Sequence, residues 1–332
     1  MRRVLVTGAT GGLGIALVQA LLAQNYPVRA TGRRLAVGAR LRDAGAEFIA
    51  ADLSDKTRLP ALVADTDILI HAAALSSPWG RREDFQRINV TITRDLSAAA
   101  QIAGCKQFIF ISTPSIYSEP RDRLGLTEAS PVAEQFANDY AASKYAAERF
   151  VLAANQPGFA TVVLRPRALV GPDDTVLLPR LLRVAERGLF PLLRQGQAMI
   201  ELTDVRDAAN AVLAIAAQPR QTAGRSFNIS GGIPLSVAAA LSMVFAHFNL
   251  RPRLLALPYA PTARLGRLAE IIYARLPGRP EPPATVYTLS TLAFSQTFDL
   301  RAARDELGWQ PRFTPAEAIA RTAAAWRQYA PL

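Results

Sequence analysis

Short apolar runs alternate with stretches of helical period over the first two thirds of the chain. Val4-Leu5-Val6 precedes Ile15, Leu17, Val18, Leu21 and Leu22, which recur at helical spacing. Pro27-Val28-Arg29-Ala30-Thr31, Glu47-Phe48-Ile49-Ala50-Ala51, Asp67-Ile68-Leu69-Ile70-His71 and Gln107-Phe108-Ile109-Phe110-Ile111 repeat the theme. Runs that are apolar on both faces read as buried parallel strands. A long helix is predicted from about Arg82 to Ala103, carrying Asn89, and an alanine-rich one near 137–154. Strand and helix alternating without a break predict an α/β fold, a doubly wound parallel sheet.

The first strand and first helix are joined by Thr7-Gly8-Ala9-Thr10-Gly11-Gly12-Leu13-Gly14. Strand, glycine turn and helix form the context of a Rossmann-type nucleotide-binding loop. Glycine admits the sharp turn and the close approach of a pyrophosphate, and the helix start offers free N–H groups. Gly8, Thr10, Gly11, Gly12, Leu13 and Gly14 are the candidate phosphate contacts. After the second strand, where an acid would bind a ribose 2′-hydroxyl, stand Arg33 and Arg34, and no acid occurs until Asp43. That favours a 2′-phosphate, hence NADP(H) over NAD(H). Asp52 and Leu53 follow the third strand; Asp52 suits either an adenine amino group or support of the helix opened by Ser54. Ala72-Ala73-Ala74 leave the fourth strand with little side-chain bulk beside a cofactor. The nucleotide-binding part is expected over 1–168, taking back a helix near 205–219 and a strand Ser226-Phe227-Asn228-Ile229 within 204–230. A smaller, mostly C-terminal α/β substrate domain is expected from 169–203 and 231–332, with turns at Ser230-Gly231-Gly232 and in the proline-rich 277–283.

Composition narrows the class. Of 332 residues, 50% are hydrophobic, which excludes disorder, yet no uncharged apolar run approaches the length of a membrane span. Met1-Arg2-Arg3 mimics the start of a signal peptide, but the apolar run behind it stops at Thr7-Gly8, so a cytoplasmic protein is expected. Cys105 is the single cysteine, and His71 and His247 lie far apart, which argues against a disulfide framework and against a metal site. The net charge of +11 comes mainly from scattered arginines, lysine occurring only at positions 56, 106 and 144. Scatter without interleaved aromatics argues against nucleic acid. His71, ending a buried strand, reads as a satisfied core histidine.

The chemistry is expected beyond the carboxyl ends of the strands. The fifth strand ends in Ser112-Thr113-Pro114-Ser115, three hydroxyls at that edge. The alanine-rich helix carries Tyr140 and Lys144 at i and i+4, on one face. A phenol is too weak an acid-base at neutral pH, and a nearby ammonium, together with a nicotinamide cation, should lower its pKa. Tyr140 then exchanges a proton with a substrate oxygen that a strand-end hydroxyl holds, while hydride moves to or from the cofactor.

These motifs together resemble the extended short-chain dehydrogenase/reductases, the NAD-dependent epimerase/dehydratase superfamily, over almost the whole length. Asp52-Leu53, Ala72-Ala73-Ala74 and Asn89 match its pattern, although His71 replaces a more usual Asn. Thr113 falls at the catalytic Ser/Thr, with Ser112 beside it as the alternative, and Tyr140 and Lys144 complete the set. Leu164-Arg165-Pro166-Arg167-Ala168-Leu169-Val170-Gly171-Pro172 matches the segment beside the nicotinamide, which places Pro166 at the cofactor. The resemblance implies a homodimer built on the two long helices. Ser112-Thr113-Pro114-Ser115 and Leu-Arg-Pro-Arg resemble the branch of 3β-hydroxysteroid dehydrogenases and 2-alkyl-3-oxoalkanoate reductases. Apolar stretches at 175–198 and 254–277 suit an apolar substrate, packing between domains, or a helix resting on a membrane surface. Pro114-Ser115 stands where dehydratases carry Asp-Glu. The expected reaction is reversible reduction of a ketone on a hydrophobic, β-oxo acyl or steroid-like substrate. An epimerase that cycles NAD internally is the alternative, and an idle NADP(H) sensor would be expected to have lost Tyr140 or Lys144. Trp79, Pro114, Ser115 and Arg167 are the candidate substrate contacts; Arg167 suits either a substrate carboxylate or a structural ion pair.

Overall fold

The computed structural model describes residues 2–329; Met1 and the last three residues of the expected substrate domain lie outside it. Seven strands form one parallel sheet: β1 (Val4–Thr7), β2 (Val28–Gly32), β3 (Glu47–Ala50), β4 (Ile68–His71), β5 (Gln107–Ile111), β6 (Ala160–Pro166) and β7 (Ser226–Ile229). Their order is β7-β6-β5-β4-β1-β2-β3. The chain runs outward from β1 to β3, then returns to lay β4 against the other side of β1. That reversal opens a crevice beyond the carboxyl ends of β1 and β4, where a ligand is held in such sheets.

Both faces of the sheet are covered, which is why the strands are apolar throughout. Val4, Val6, Ile68, Ile70, Ile109 and Ile111 face helices Gly12–Ala23 and Val205–Ala217. Leu5, Leu69, Phe108 and Phe110 face helices Leu59–Val63, Ile92–Ile102 and Asp139–Ala153. The alternation along each strand is the two-residue period of the pleat.

The helix expected from Arg82 to Ala103 is not uniform. Arg82–Phe85 and Ile92–Ile102 are α-helical, and Gln86–Thr91 between them is a wide π turn. Such a turn accommodates one extra residue and is frequent at functional sites. Here it carries Asn89, which is buried.

Beyond the sheet, Leu189–Leu193 pairs with Arg253–Leu257, and Arg123–Leu126 with Gln296–Phe298, both parallel. The apolar stretch at 254–277 begins with that strand, and its helix occupies Tyr259–Tyr273. Only Gly266 of that helix is buried; Leu265, Leu268, Ile271 and Ile272 are exposed. A further apolar core, including Leu178, Leu182, Phe190, Leu241 and Phe245, lies under helices Leu178–Ala185, Val237–His247 and Pro315–Tyr329.

Candidate active site

The glycine loop is shaped by close approach of backbone to backbone. Gly8 has φ +66°, and a Cβ there would stand 2.6 Å from the Ala73 nitrogen. A Cβ on Gly14 would stand 2.1 Å from the Gly8 oxygen, and one on Gly12 2.9 Å from that of Asp173. Helix Gly12–Ala23 starts from Gly11 with no side-chain cap and no acid in its first turn. Its leading N–H groups therefore remain free to meet an anion. Beneath the loop, Thr7 Oγ1 lies 2.7 Å from His71 Nδ1, and His71 Nε2 lies 3.0 Å from Thr93 Oγ1. Burial, with the Lys144 charge added, pushes His71 down to about 3. It is a neutral structural residue.

The loop opens on a cavity of about 1970 Å³ that continues past the strand ends. Gly8, Thr10, Gly11, Gly12, Leu13 and Gly14 line it, together with Leu53 and Ala72-Ala73-Ala74. Arg33 and Arg34 line it with exposed side chains. Asp52 lines it too; its carboxylate accepts from the Ser54 N–H at 2.9 Å and the Ser54 hydroxyl at 2.8 Å, which hold its pKa low. The volume exceeds that of an ordinary single-ligand pocket, about 300–1,000 Å³, so a dinucleotide and a second molecule fit together. The uncapped helix start, the backbone cradle that side chains would fill, and the two arginines suit a dinucleotide.

Ser112, Thr113, Pro114, Ser115, Tyr140, Lys144, Pro166 and Arg167 line the other part of the same cavity. Trp79 does not line it: its indole Nε1 donates to the Arg279 carbonyl at 3.1 Å, tying its loop to the proline-rich segment. The expectation of Trp79 as a substrate contact is corrected accordingly; its polar edge is used between two loops.

Helix Asp139–Ala153, capped by the Asn138 side chain accepting from the Ala141 N–H at 2.9 Å, presents Tyr140 and Lys144. Asn89 in the wide turn donates to Ser143 Oγ at 2.9 Å and accepts from the Leu75 N–H at 2.8 Å. It thus joins the loop after β4 to the residue beside Lys144. Lys144 is 2% exposed; its Nζ donates to the Ile111 carbonyl at 2.5 Å and lies 3.9 Å from the centre of the Phe110 ring. Glu148, one turn on, is bound by both Arg165 Nε, at 3.1 Å, and Arg165 Nη2. With its nearest carboxylate engaged elsewhere, Lys144 is governed by burial, which pulls it down to about 7 against the Glu148 charge.

The expected fall in the Tyr140 pKa does not occur in the protein alone. Burial raises it, the nearby Tyr287 adds to the rise, and the hydroxyls of Ser76 and Thr113 oppose it. Lys144 does not offset that rise in the protein alone.

Of the two candidate hydroxyls, Thr113 is the one that acts on Tyr140. Ser112 Oγ is buried without a partner among the described residues. Thr113 Oγ1 donates to Ser115 Oγ at 2.9 Å, which lies 2.7 Å from the Tyr287 hydroxyl. Tyr287 was not foreseen: it comes from helix Val286–Ala293, and the only local signal was Thr285, whose side chain caps that helix by accepting from the Thr288 N–H.

Residues 4–230 match the NAD dependent epimerase/dehydratase family. The chain belongs to that family. It is an NAD(P)-dependent oxidoreductase. The family match spans the glycine loop, the Tyr140–Lys144 pair and all seven strands of the sheet. The chain is 32% identical to the 2-alkyl-3-oxoalkanoate reductase of Stenotrophomonas maltophilia, over 97% of this chain and 99% of that one. It is 30% identical to the 4-hydroxy-2-methyl-3-oxo-4-farnesyl-3,4-dihydroquinoline-1-oxide ketoreductase of Stigmatella aurantiaca, over 96% and 94%. Among solved structures, MoeE5 in complex with UDP-glucuronic acid and NAD shares the fold at a TM-score of 0.77 and 24% identity, covering 99% of this chain and all of that one.

Proposed function

We propose that the protein reversibly reduces a ketone on an apolar substrate, using NADP(H) in preference to NAD(H). The observation that carries this reading is the meeting of Thr113, Ser115, Tyr140, Lys144 and Tyr287 in one cavity with the glycine loop. The compounds for which the two relatives above are named share a 3-oxo group beside a 2-alkyl or 2-methyl carbon, which supports a ketone flanked by an alkylated carbon. Arg33 and Arg34 at the end of β2 support a 2′-phosphate.

When bound, the reduced cofactor supplies the hydride. Thr113, turning its O–H from Ser115 to the substrate, holds the carbonyl oxygen, and Tyr140 delivers the proton to it. The phenolate left behind is stabilised by Lys144, which gains charge readily because its pKa lies near neutrality. The hydroxyls of Ser115 and Tyr287 keep Thr113 oriented, and the Arg165–Glu148 pair keeps Glu148 from neutralising Lys144. The resemblance that supports this chemistry also supports the roles of Gly8, Thr10, Gly11, Gly12, Leu13, Gly14, Asp52, Leu53, Ala72, Ala73, Ala74 and Pro166 at the cofactor. It likewise supports a homodimer and the division into 1–168 with 204–230, and 169–203 with 231–332.

Tyr140→Phe tests the reading. NADPH still binds, while turnover of 2-alkyl-3-oxo substrates, followed by NADPH absorbance, falls by about 10²–10⁴-fold. Near-normal turnover in the variant refutes the role. Interconversion of UDP-sugars without added cofactor refutes the reaction.

A further inference from the structure

Two buried arginines flank Pro166 and are treated oppositely by the fold. Arg165 is saturated: Glu148 takes two of its nitrogens, and Nη1 donates to the Tyr117 hydroxyl at 2.5 Å. Arg167, 8% exposed, forms no ion pair and no side-chain hydrogen bond among the described residues, and its Nε is buried without a partner. Its main chain is pinned, the N–H donating to the Ile229 carbonyl at 2.8 Å and the carbonyl accepting from Thr203 Oγ1. The carboxylate that acts on it across space, Glu201, is already bound by the Ser230 hydroxyl and the Phe298 N–H.

A guanidinium stays protonated in proteins, so this residue cannot escape burial by losing its charge. An uncompensated buried charge is among the costliest features a fold can keep. Arg167 also lines the active-site cavity, as do Tyr287 and Thr113. The structural ion pair that the sequence allowed is therefore absent among the described residues, and the remaining partner is one that enters the cavity.

We propose that Arg167 is the anion-recognition residue of this cavity, and that it holds the carboxylate of a 3-oxo acid whose keto oxygen rests on Thr113 and Tyr140. The proposal builds on the ketone-reduction reading. Its geometry follows from the sheet: β5 and β6 are neighbours with Ile111 beside Leu164. Thr113 lies two residues past Ile111, and Arg167 three past Leu164. Neighbouring strands stand about 4.8 Å apart and rise about 3.3 Å per residue, so the two backbones leave the sheet one step apart at the same crevice, and Tyr287, whose hydroxyl lies 2.7 Å from Ser115 Oγ, acts on Arg167 across space. In a 3-oxo acid one carbon separates the keto carbon from the carboxylate. The planar fork of an arginine pairs with a carboxylate through two parallel bonds. A neutral ketone or ester leaves the guanidinium without its partner, so discrimination is built into the site.

The test compares a 2-alkyl-3-oxoalkanoate with its methyl ester on the NADPH-bound enzyme, in wild type and in Arg167→Gln and Arg167→Lys. Wild type is expected to prefer the acid in kcat/KM by roughly 100-fold or more. Arg167→Gln abolishes that preference, and Arg167→Lys, which restores charge without the fork, recovers part of it. Calorimetry with a non-reducible 2-alkylalkanoate adds a readout independent of turnover, its affinity falling by a similar factor in Arg167→Gln. An unchanged acid-to-ester ratio together with unchanged calorimetric affinity overturns the proposal and leaves ketone reduction standing. Failure of wild type to reduce either compound, with carboxylate binding still lost in Arg167→Gln, overturns ketone reduction and leaves the anion site standing. Circular dichroism of both variants verifies that they are folded.

Discussion

Replacing Lys144 by Met is predicted to make the cofactor-free protein more stable and inactive. The ammonium is 2% exposed and has no carboxylate partner among the described residues, since Arg165 holds Glu148. A lysine that titrates at 10.5 in water and at about 7 in the fold disfavours the folded state by roughly 4 kcal/mol near neutral pH. Methionine removes that cost and fills the space beside the Phe110 ring with an adaptable apolar chain. It loses the hydrogen bond to the Ile111 carbonyl, worth about 1 kcal/mol. The net gain is about 1–3 kcal/mol, or roughly 1–4 °C in Tm for a chain of this length. The sign with pH is fixed by linkage. Between about 7 and 10.5 the unfolded chain binds a proton at this lysine and the folded one does not, so wild-type stability rises with pH across that window. The advantage of Lys144→Met is therefore largest below about pH 7 and shrinks toward zero near pH 10.5. Thermal and urea melts of both proteins at pH 6.5 and 9.5 measure it. A variant that melts below wild type at pH 6.5, or a gap that does not narrow at pH 9.5, refutes the reasoning.

Two other perturbations bear on the cofactor loop and its support. Arg33→Ala is expected to weaken NADPH by roughly tenfold, the loss of a charged contact at an exposed site, with NADH affected much less; equal loss in fluorescence titrations of the two removes the basis for a 2′-phosphate preference. His71→Asn is expected to flatten the acid side of the stability curve. Wild-type His71 titrates at 6.5 unfolded and at about 3 folded, so its contribution is present above pH 6.5 and is lost as pH falls toward 3. Urea midpoints from pH 7 to 4 should converge between variant and wild type, and parallel curves would refute the assignment.

Much of the fold was legible because parallel strands covered on both faces must be apolar throughout, and β1, β4 and β5 are. The glycine loop was legible because its spacing answers to backbone contacts with Ala73 and Gly8 that no side chain permits. Tyr140 and Lys144 declared themselves by helical spacing. What escaped depended on distant parts of the chain. Tyr287 reaches Ser115 across 172 residues, and nothing local distinguishes it from any tyrosine in a short helix. The wide turn at 86–91 left the apolar rhythm of its helix readable as continuous. The Tyr140 pKa ran opposite to expectation because two residues on one helix face say nothing of how deeply both are buried, or of Arg165 claiming Glu148. Arg167 was ambiguous in sequence for the same reason: whether a partner exists is a property of the neighbours.

The bond between Ser115 and Tyr287 also sets an order in time. A ribosome adding about 5–20 residues per second releases Ser115 roughly 10–35 s before Tyr287. For most of that interval the nascent chain carries the glycine loop, Thr113, Tyr140 and Lys144, while the hydroxyl that meets Ser115 is still unmade. The last quarter of the chain thus supplies a support that the first half lacks when it is made.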